Sequence, residues 1–217
     1  MTLLRKRRSA PRASAAVQRS RLMDAARSML RTRRLTALTL SDVAAEAEVP
    51  KSSAYHYFED IEDLYVQLLL VLHKEVQTAL GAPLPGPFAS WADIIARLME
   101  RGTRCFAADA AAQQLLVGPE ASPDLRLRVL KCDVTLGQIF ERQVDAHFQL
   151  PDIPDRSAIF FRAVEIAGLM FCLSFIDHGR ITRDMMVEAS RAAVAYLGLY
   201  IPAKLPRRRA AAAGAHA

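Results

Sequence analysis

The sequence predicts an all-α fold in two unequal parts, a small basic helical unit followed by a larger helical body. Three observations carry this. Ala, Leu and Arg dominate the 217 residues, and β-branched runs are almost absent. Apolar residues return at three- and four-residue spacing along most of the chain. The charge is also divided: residues 1–58 hold twelve Lys or Arg against Asp24, Asp42, Glu46 and Glu48, a balance of +8 within a total of +6. The remainder is therefore at −2, and a basic end on a slightly acidic body fits a polyanion-binding unit.

The elements follow in order. Residues 1–14 are expected to form a disordered basic arm, with Arg5, Lys6, Arg7 and Arg8 its densest stretch. Leu22, Ala25, Ala26, Met29 and Leu30 then fall on one stripe, predicting a helix over 15–33. Thr39 with Asp42 three residues on has the form of a capping box and opens a short helix over 40–47. Pro50 suits a helix start, so 51–58 reads as two further turns. Two short helices a few residues apart make a helix-turn-helix pattern.

From Ile61 a long apolar stripe runs through Leu64, Tyr65, Leu68, Leu69, Leu72, Val76 and Leu80, until Gly81 and a proline-rich loop end it. Helices are predicted over 89–108, 110–117, 125–147, 157–177 and 182–200. Gly118-Pro119, Pro151 with Pro154, and Gly179 separate them. The domain boundaries expected are 15–60 and 61–203, with 204–217 a disordered basic, Ala-rich tail.

Several classes are excluded as expectations. Cys105, Cys132 and Cys172 are widely spaced and build neither a disulfide framework nor a thiol metal site. Met1 to Arg12 lacks the apolar core of a signal peptide. The most apolar run, 166–176, is too short to cross a bilayer, so a cytoplasmic protein with no membrane partner is expected. No Gly-rich phosphate loop, G-x-S-x-G or H-E-x-x-H occurs. The Asp145/His147 and Asp177/His178 pairs lack the spacing that shares a helix face. The chain is thus expected to be no enzyme, with no cofactor and no metal.

The stretch from Thr39 to Phe58, TLSDVAAEAEVPKSSAYHYF, resembles the helix-turn-helix of TetR-family transcriptional regulators. The likeness lies in the opening Thr, the Val43-Ala44 pair, Val49 in the turn, the Tyr-His-Tyr-Phe ending, and the Glu62-Asp63-Leu64 step that follows. It runs from about Leu22 to Tyr65. Arg34, Glu48 and Ser52 stand where the family often has Gly, and Ile61 stands in place of a common Lys. Glu48 is the least expected, because that turn favours a residue tolerant of positive φ.

The resemblance implies an N-terminal three-helix DNA-binding domain, followed by a larger helical ligand-binding and dimerisation domain. Its implied DNA-binding residues are Thr39, Ser41, Lys51, Ser52, Ser53, Tyr55, His56 and Tyr57. Lys51 would reach guanine O6 or N7, and the serines base or phosphate. The tyrosines, with His56 between them, would meet phosphate, sugar or thymine methyl. Thr39 would add a phosphate contact. Whether the arginine-rich arm enters a minor groove or stays solvated is open.

For the larger domain the resemblance implies a homodimer and a small-molecule effector pocket. Ile159, Ala163, Ala167, Met170, Met186, Val194 and Leu197 are the candidate dimer surface, with Gly168 permitting close approach. Trp91, Ile95, Met99, Phe106, Phe140, Phe148 and Met170 are the candidate ligand-binding residues. Gln113, Gln114, Gln138, Glu165 and Ser174 are the polar groups on apolar segments, so an apolar or amphipathic effector is expected. The resulting expectation is a regulator that represses from a palindromic operator and is released by effector. The alternative is a DNA-binding protein controlled by a protein partner or by no ligand.

Overall fold

The computed structural model describes residues 11–208. Among them the chain is helical, with a lone β-bridge between Phe148 and Arg207. It divides after Leu68 into two compact units.

The first unit is built from α1 (Pro11–Met29), a 3-10 turn (Leu35–Ala37), α2 (Leu40–Glu46), α3 (Lys51–Tyr57) and the start of α4 (Ile61–Gly81). Leu22, Ala25, Ala26 and Leu30 of α1 are buried, as the stripe predicts. Helix α1 starts earlier than expected, so residues 11–14 are helical and not a disordered arm. Pro11 suits a first helical position, and the Ala-rich residues behind it favour the helix. Arg5 to Arg8 lie outside the described residues.

Both bonds of the capping box form at α2: the Asp42 amide donates to Thr39 Oγ1 at 3.2 Å, and the Thr39 amide donates to Asp42 Oδ2 at 3.0 Å. Leu40, Val43, Ala44 and Ala47 of this region meet Val49, Ala54 and Phe58 in one core. Small residues at 44 and 54 suit a close crossing of two short helices. Tyr65, fully buried on α4, donates its hydroxyl to the Leu35 carbonyl at 2.8 Å. Burial pushes that phenol's pKa well up.

The second unit adds α5 (Trp91–Ala108), a short α6 (Ala110–Ala112) running into a π-helical stretch (Gln113–Val117), α7 (Pro123–Asp145), α8 (Arg156–His178) and α9 (Arg183–Leu197). A second capping box, Ser90 with Asp93, starts α5. Gln143, buried on α7, donates to the Leu80 and Ala82 carbonyls at 2.9 Å each and satisfies the end of α4. Helices α7 and α8 meet at Gly137, where an added Cβ would lie 2.6 Å from the Phe161 backbone nitrogen. Near that crossing Glu141 accepts from Arg156 Nε at 2.7 Å and from the Ser157 hydroxyl at 2.6 Å.

Gly179 ends α8 with φ 66°, the left-handed conformation that a residue without Cβ adopts freely. Ser174 is drawn into that turn. Its hydroxyl donates to the Arg180 carbonyl at 2.9 Å and accepts from the Thr182 amide at 3.0 Å.

Two expectations need correction. Residues 204–208 are not a disordered tail. The Gln149 amide donates to the Pro206 carbonyl at 2.8 Å, and the Arg208 amide to the His147 carbonyl at 2.9 Å. Arg208 also bonds Asp145, while Arg207 lies over the Phe148 ring. The charges that read as a solvated run have partners on the segment after α7; residues 209–217 lie outside the described ones. Second, the 166–176 run is only part of α8, whose 23 residues are long and apolar enough to cross a membrane by length and composition alone. The reason is that α8 is apolar on more than one face. Ile159, Phe160, Ala163 and Phe171 are buried against its neighbours, while Leu169, Leu173 and Ile176 are 62%, 41% and 57% exposed.

Candidate nucleic-acid interface and cavity

Helix α3 has two faces. Ala54 is fully buried beneath the helix, whereas Lys51, Ser52, Tyr55 and His56 are exposed. Those four share one side by their i, i+1, i+4, i+5 spacing. Ser53 and Tyr57 are half-buried at its edges. The Lys51 ammonium sits 5.8 Å from the centre of the Tyr55 ring, and the His56 and Tyr57 rings are 5.5 Å apart. The Tyr55 hydroxyl lies 3.4 Å from that of Ser41 on α2, so Ser41 borders the exposed face of α3.

Thr39 is exposed, but its hydroxyl already donates to Asp42 Oδ2 at 2.8 Å while accepting from the Asp42 amide. These hydrogen bonds from Thr39, with Arg33 nearby, hold the Asp42 carboxyl below its ordinary pKa. A phosphate approaching Thr39 would therefore meet a carboxylate whose charge Arg33, 3.6 Å away, partly offsets.

The turn between α2 and α3 contains Glu48 at φ 51°, the left-handed conformation the sequence made suspect. Its carboxylate faces Arg21 of α1 at 3.7 Å.

The second unit holds a cavity of about 350 Å³ with mainly apolar walls. Of the candidate ligand residues, Met99, Phe106 and Phe140 line it. Trp91, Ile95, Phe148 and Met170 do not. Trp91 and Ile95 are core, with the Trp91 indole donating to the Pro202 carbonyl at 2.9 Å, and Phe148 packs under Arg207. Aromatic and aliphatic side chains at helical spacing fill either core or cavity wall, and periodicity does not separate the two.

The polar part of the wall is His73, Arg126, Asp133 and Glu165. Glu165 is among the polar groups picked out from the sequence; the others are not. A signal was present for His73, which sits within the Leu69, Leu72, Val76 and Leu80 stripe and is nearly fully buried. Its Nε2 lies 2.6 Å from Asp133 Oδ1, and Gln77 Nε2 lies 3.0 Å from its Nδ1. Glu165 is pushed up to about pKa 8 by burial, and further by the neighbouring Asp133. Its Oε1 is buried with no hydrogen-bond partner. Of the remaining polar candidates, Gln113 donates to the Phe106 carbonyl at 3.0 Å.

The candidate dimer residues divide in the same way. Ile159, Ala163, Ala167 and Leu197 are buried inside the single chain and are not available as drawn, while Met170, Met186 and Val194 are half-buried. On α8 and α9 the large apolar groups left in water are instead Leu169, Leu173, Ile176 and Val187. Gly168 has open space beside it and lines the cavity.

Residues 22–68 match the family profile described as bacterial regulatory proteins, tetR family. Among solved structures, the chain is similar to a TetR transcriptional regulator from Rhodococcus sp. RHA1, with 19% identity and TM-score 0.62, covering 87% of this chain and 97% of that one. A TetR-family regulator from Streptomyces coelicolor is alike at 19% identity and TM-score 0.62, covering 84% and 99%. The transcriptional repressor QsdR of R. erythropolis is similar at 16% identity and TM-score 0.55, covering 90% and 98%. At these identities the likeness shows the fold. No curated protein matches the chain.

Proposed function

We propose that this chain, whose residues 22–68 match the tetR family profile of bacterial regulatory proteins, is a dimeric transcriptional repressor that reads a palindromic operator and is released by a small effector. The observation that carries the DNA-binding part is the exposed face of α3, with Lys51, Ser52, Tyr55 and His56 outward over a fully buried Ala54. A helix presenting cationic, hydroxyl and aromatic groups on one side is suited to a major groove. Ser53 and Tyr57 at its edges, and Ser41 and Thr39 on the neighbouring helix, are assigned to backbone contacts. Repression follows the R. erythropolis neighbour, which is itself a repressor.

Dimerisation is supported by the Leu169, Leu173 and Ile176 stripe, which a second copy would cover in a two-fold bundle of α8 and α9. Effector control is supported by the cavity, whose volume of about 350 Å³ falls within the range of small-molecule sites. This favours a ligand-responsive regulator over one controlled by a partner or by none. An effector releases DNA only by binding better to a dimer whose two α3 helices depart from the roughly 34–36 Å spacing of successive major grooves.

The test is selection of bound duplexes from a random pool, followed by affinity for the winner against salt. An enriched inverted repeat, and a log–log salt slope of roughly −0.9 per phosphate neutralised, are expected. Weak, sequence-blind binding with nothing enriched would overturn the reading.

A further inference from the structure

We propose that the cavity takes a lipophilic monocation, an alkylammonium or arylalkylammonium, with its charged nitrogen against Glu165 and Asp133 and its hydrocarbon along Met99, Phe106 and Phe140. This rests on the reading of the cavity as the effector site and adds the chemical class of the ligand.

With Glu165 ionised, the wall holds two carboxylates, Asp133 and Glu165, against Arg126, the one fixed cation of the lining. Arg126 Nη2 also donates to the Gly118 carbonyl at 3.0 Å, which holds it to the chain. His73 does not redress the count. With Gln77 donating to its Nδ1, the ring's proton lies on Nε2 and is given to Asp133. Helix α5 and the stretch 113–117 bring only apolar groups, Leu98, Met99, Gly102, Phe106, Leu116 and Val117, to the lining. The remaining ionisable wall residue, Cys172, carries no positive charge.

The wall also holds an unmet acceptor. Glu165 Oε1 is buried and has no partner in the protein. A ligand ammonium supplies the missing donor, and its charge balances Glu165 once that carboxyl ionises. A fatty acid of the same size would bring a second carboxylate beside Asp133 and no N–H for Glu165, and a neutral alcohol would supply the donor without the charge.

Proton balance follows. Glu165 stays largely protonated at neutral pH, because burial and Asp133 push it up to about 8. When the ammonium arrives, Glu165 gives its proton to solvent and keeps the electron pair as a carboxylate facing the cation. Binding therefore releases close to one proton at pH 7 and almost none at pH 9. Affinity rises by about tenfold between those values.

The experiment is titration calorimetry of the full chain with n-octylammonium, n-octanol and n-octanoate, at pH 7 and 9, in buffers of different ionisation heat. We expect octylammonium to bind roughly tenfold or more tighter than octanol, octanoate to bind weakest, and proton release to be seen only at pH 7. Glu165→Gln and Asp133→Asn should each remove the preference for octylammonium while keeping octanol binding, which reports an intact cavity. Octanol or octanoate matching octylammonium would overturn the proposal. So would undiminished octylammonium binding by both variants, or no binding of any probe. Operator affinity is measured in parallel. Octylammonium binding that leaves the operator complex unchanged upholds the ligand class and overturns effector control. Absence of octylammonium binding overturns the ligand class and leaves operator binding standing.

Discussion

The hydroxyls of Ser41 and Tyr55 lie 3.4 Å apart and join the two short helices of the DNA-reading unit. Tyr55 is 47% exposed, so this contact is made in water and contributes little to the fold. Tyr55→Phe should leave the melting temperature nearly unchanged and weaken binding to the selected operator by about tenfold, the loss of one hydrogen bond to a charged group. Circular dichroism and fluorescence anisotropy separate the two effects. A lowered melting temperature with unaltered DNA affinity would show that Tyr55 supports the helix pair only.

Glu48 occupies a left-handed turn position at φ 51°. Its pairing with Arg21 spans 3.7 Å between side chains that are 43% and 88% exposed, and such surface pairs contribute little. Glu48→Gly is therefore expected to stabilise the chain by about 0.5–1 kcal/mol, and Glu48→Val to destabilise it. Urea denaturation of both variants checks the order; the reverse order would mean that the ion pair outweighs the backbone.

Tyr65 is buried, and its hydroxyl is the partner of the Leu35 carbonyl. Tyr65→Phe removes the donor but leaves the acceptor inside, at a cost of about 1–3 kcal/mol. Hydrogen exchange of the Leu35–Ala37 turn should accelerate in the variant, and unchanged protection there would refute the assignment.

At Gly137 the nearest atoms to a new Cβ belong to the Phe161 backbone, which has no rotamer with which to yield. Gly137→Ala should destabilise the second unit by about 1–3 kcal/mol despite the better helix propensity of alanine. Gly81→Ala, with nothing within 4 Å, is the control and should be neutral or stabilising. Equal melting temperatures for the two would contradict a tight α7–α8 crossing.

Glu165 binds a proton in the folded chain, where its pKa is about 8, that the unfolded chain releases above its ordinary 4.5. Its contribution to stability is therefore greatest below pH 4.5, declines as pH rises towards 8, and is level beyond. Glu165→Gln lacks this decline, so the variant's melting temperature should gain on the wild type from pH 5 to 8. Parallel curves across that interval would rule out a raised Glu165.

The sequence made the reading unit legible because its constraints are local. Thr39 and Asp42 cap one another across three residues, and the φ at Glu48 belongs to a single turn. The larger unit was legible as helices but not as surfaces. Helix α8 is apolar on opposite sides, so its composition does not tell that Ile159 and Ala163 face inward while Leu169 and Leu173 face water. The α7–α8 crossing at Gly137 depends on residues more than twenty apart. The His73–Asp133 pair spans sixty. The segment 204–208 read as frayed because its partners, Asp145, His147 and Gln149, lie far back in the chain.

If a second copy covers the exposed stripe on α8, as proposed, chain abundance becomes a folding variable. Water and a second copy compete for Leu169, Leu173 and Ile176, and mass action decides between them. Melting temperature should then climb with total protein concentration, and a freshly made, scarce chain would be the form most open to proteolysis. On that reading, scarcity itself would hold the chain back at the level of folding, ahead of any binding event.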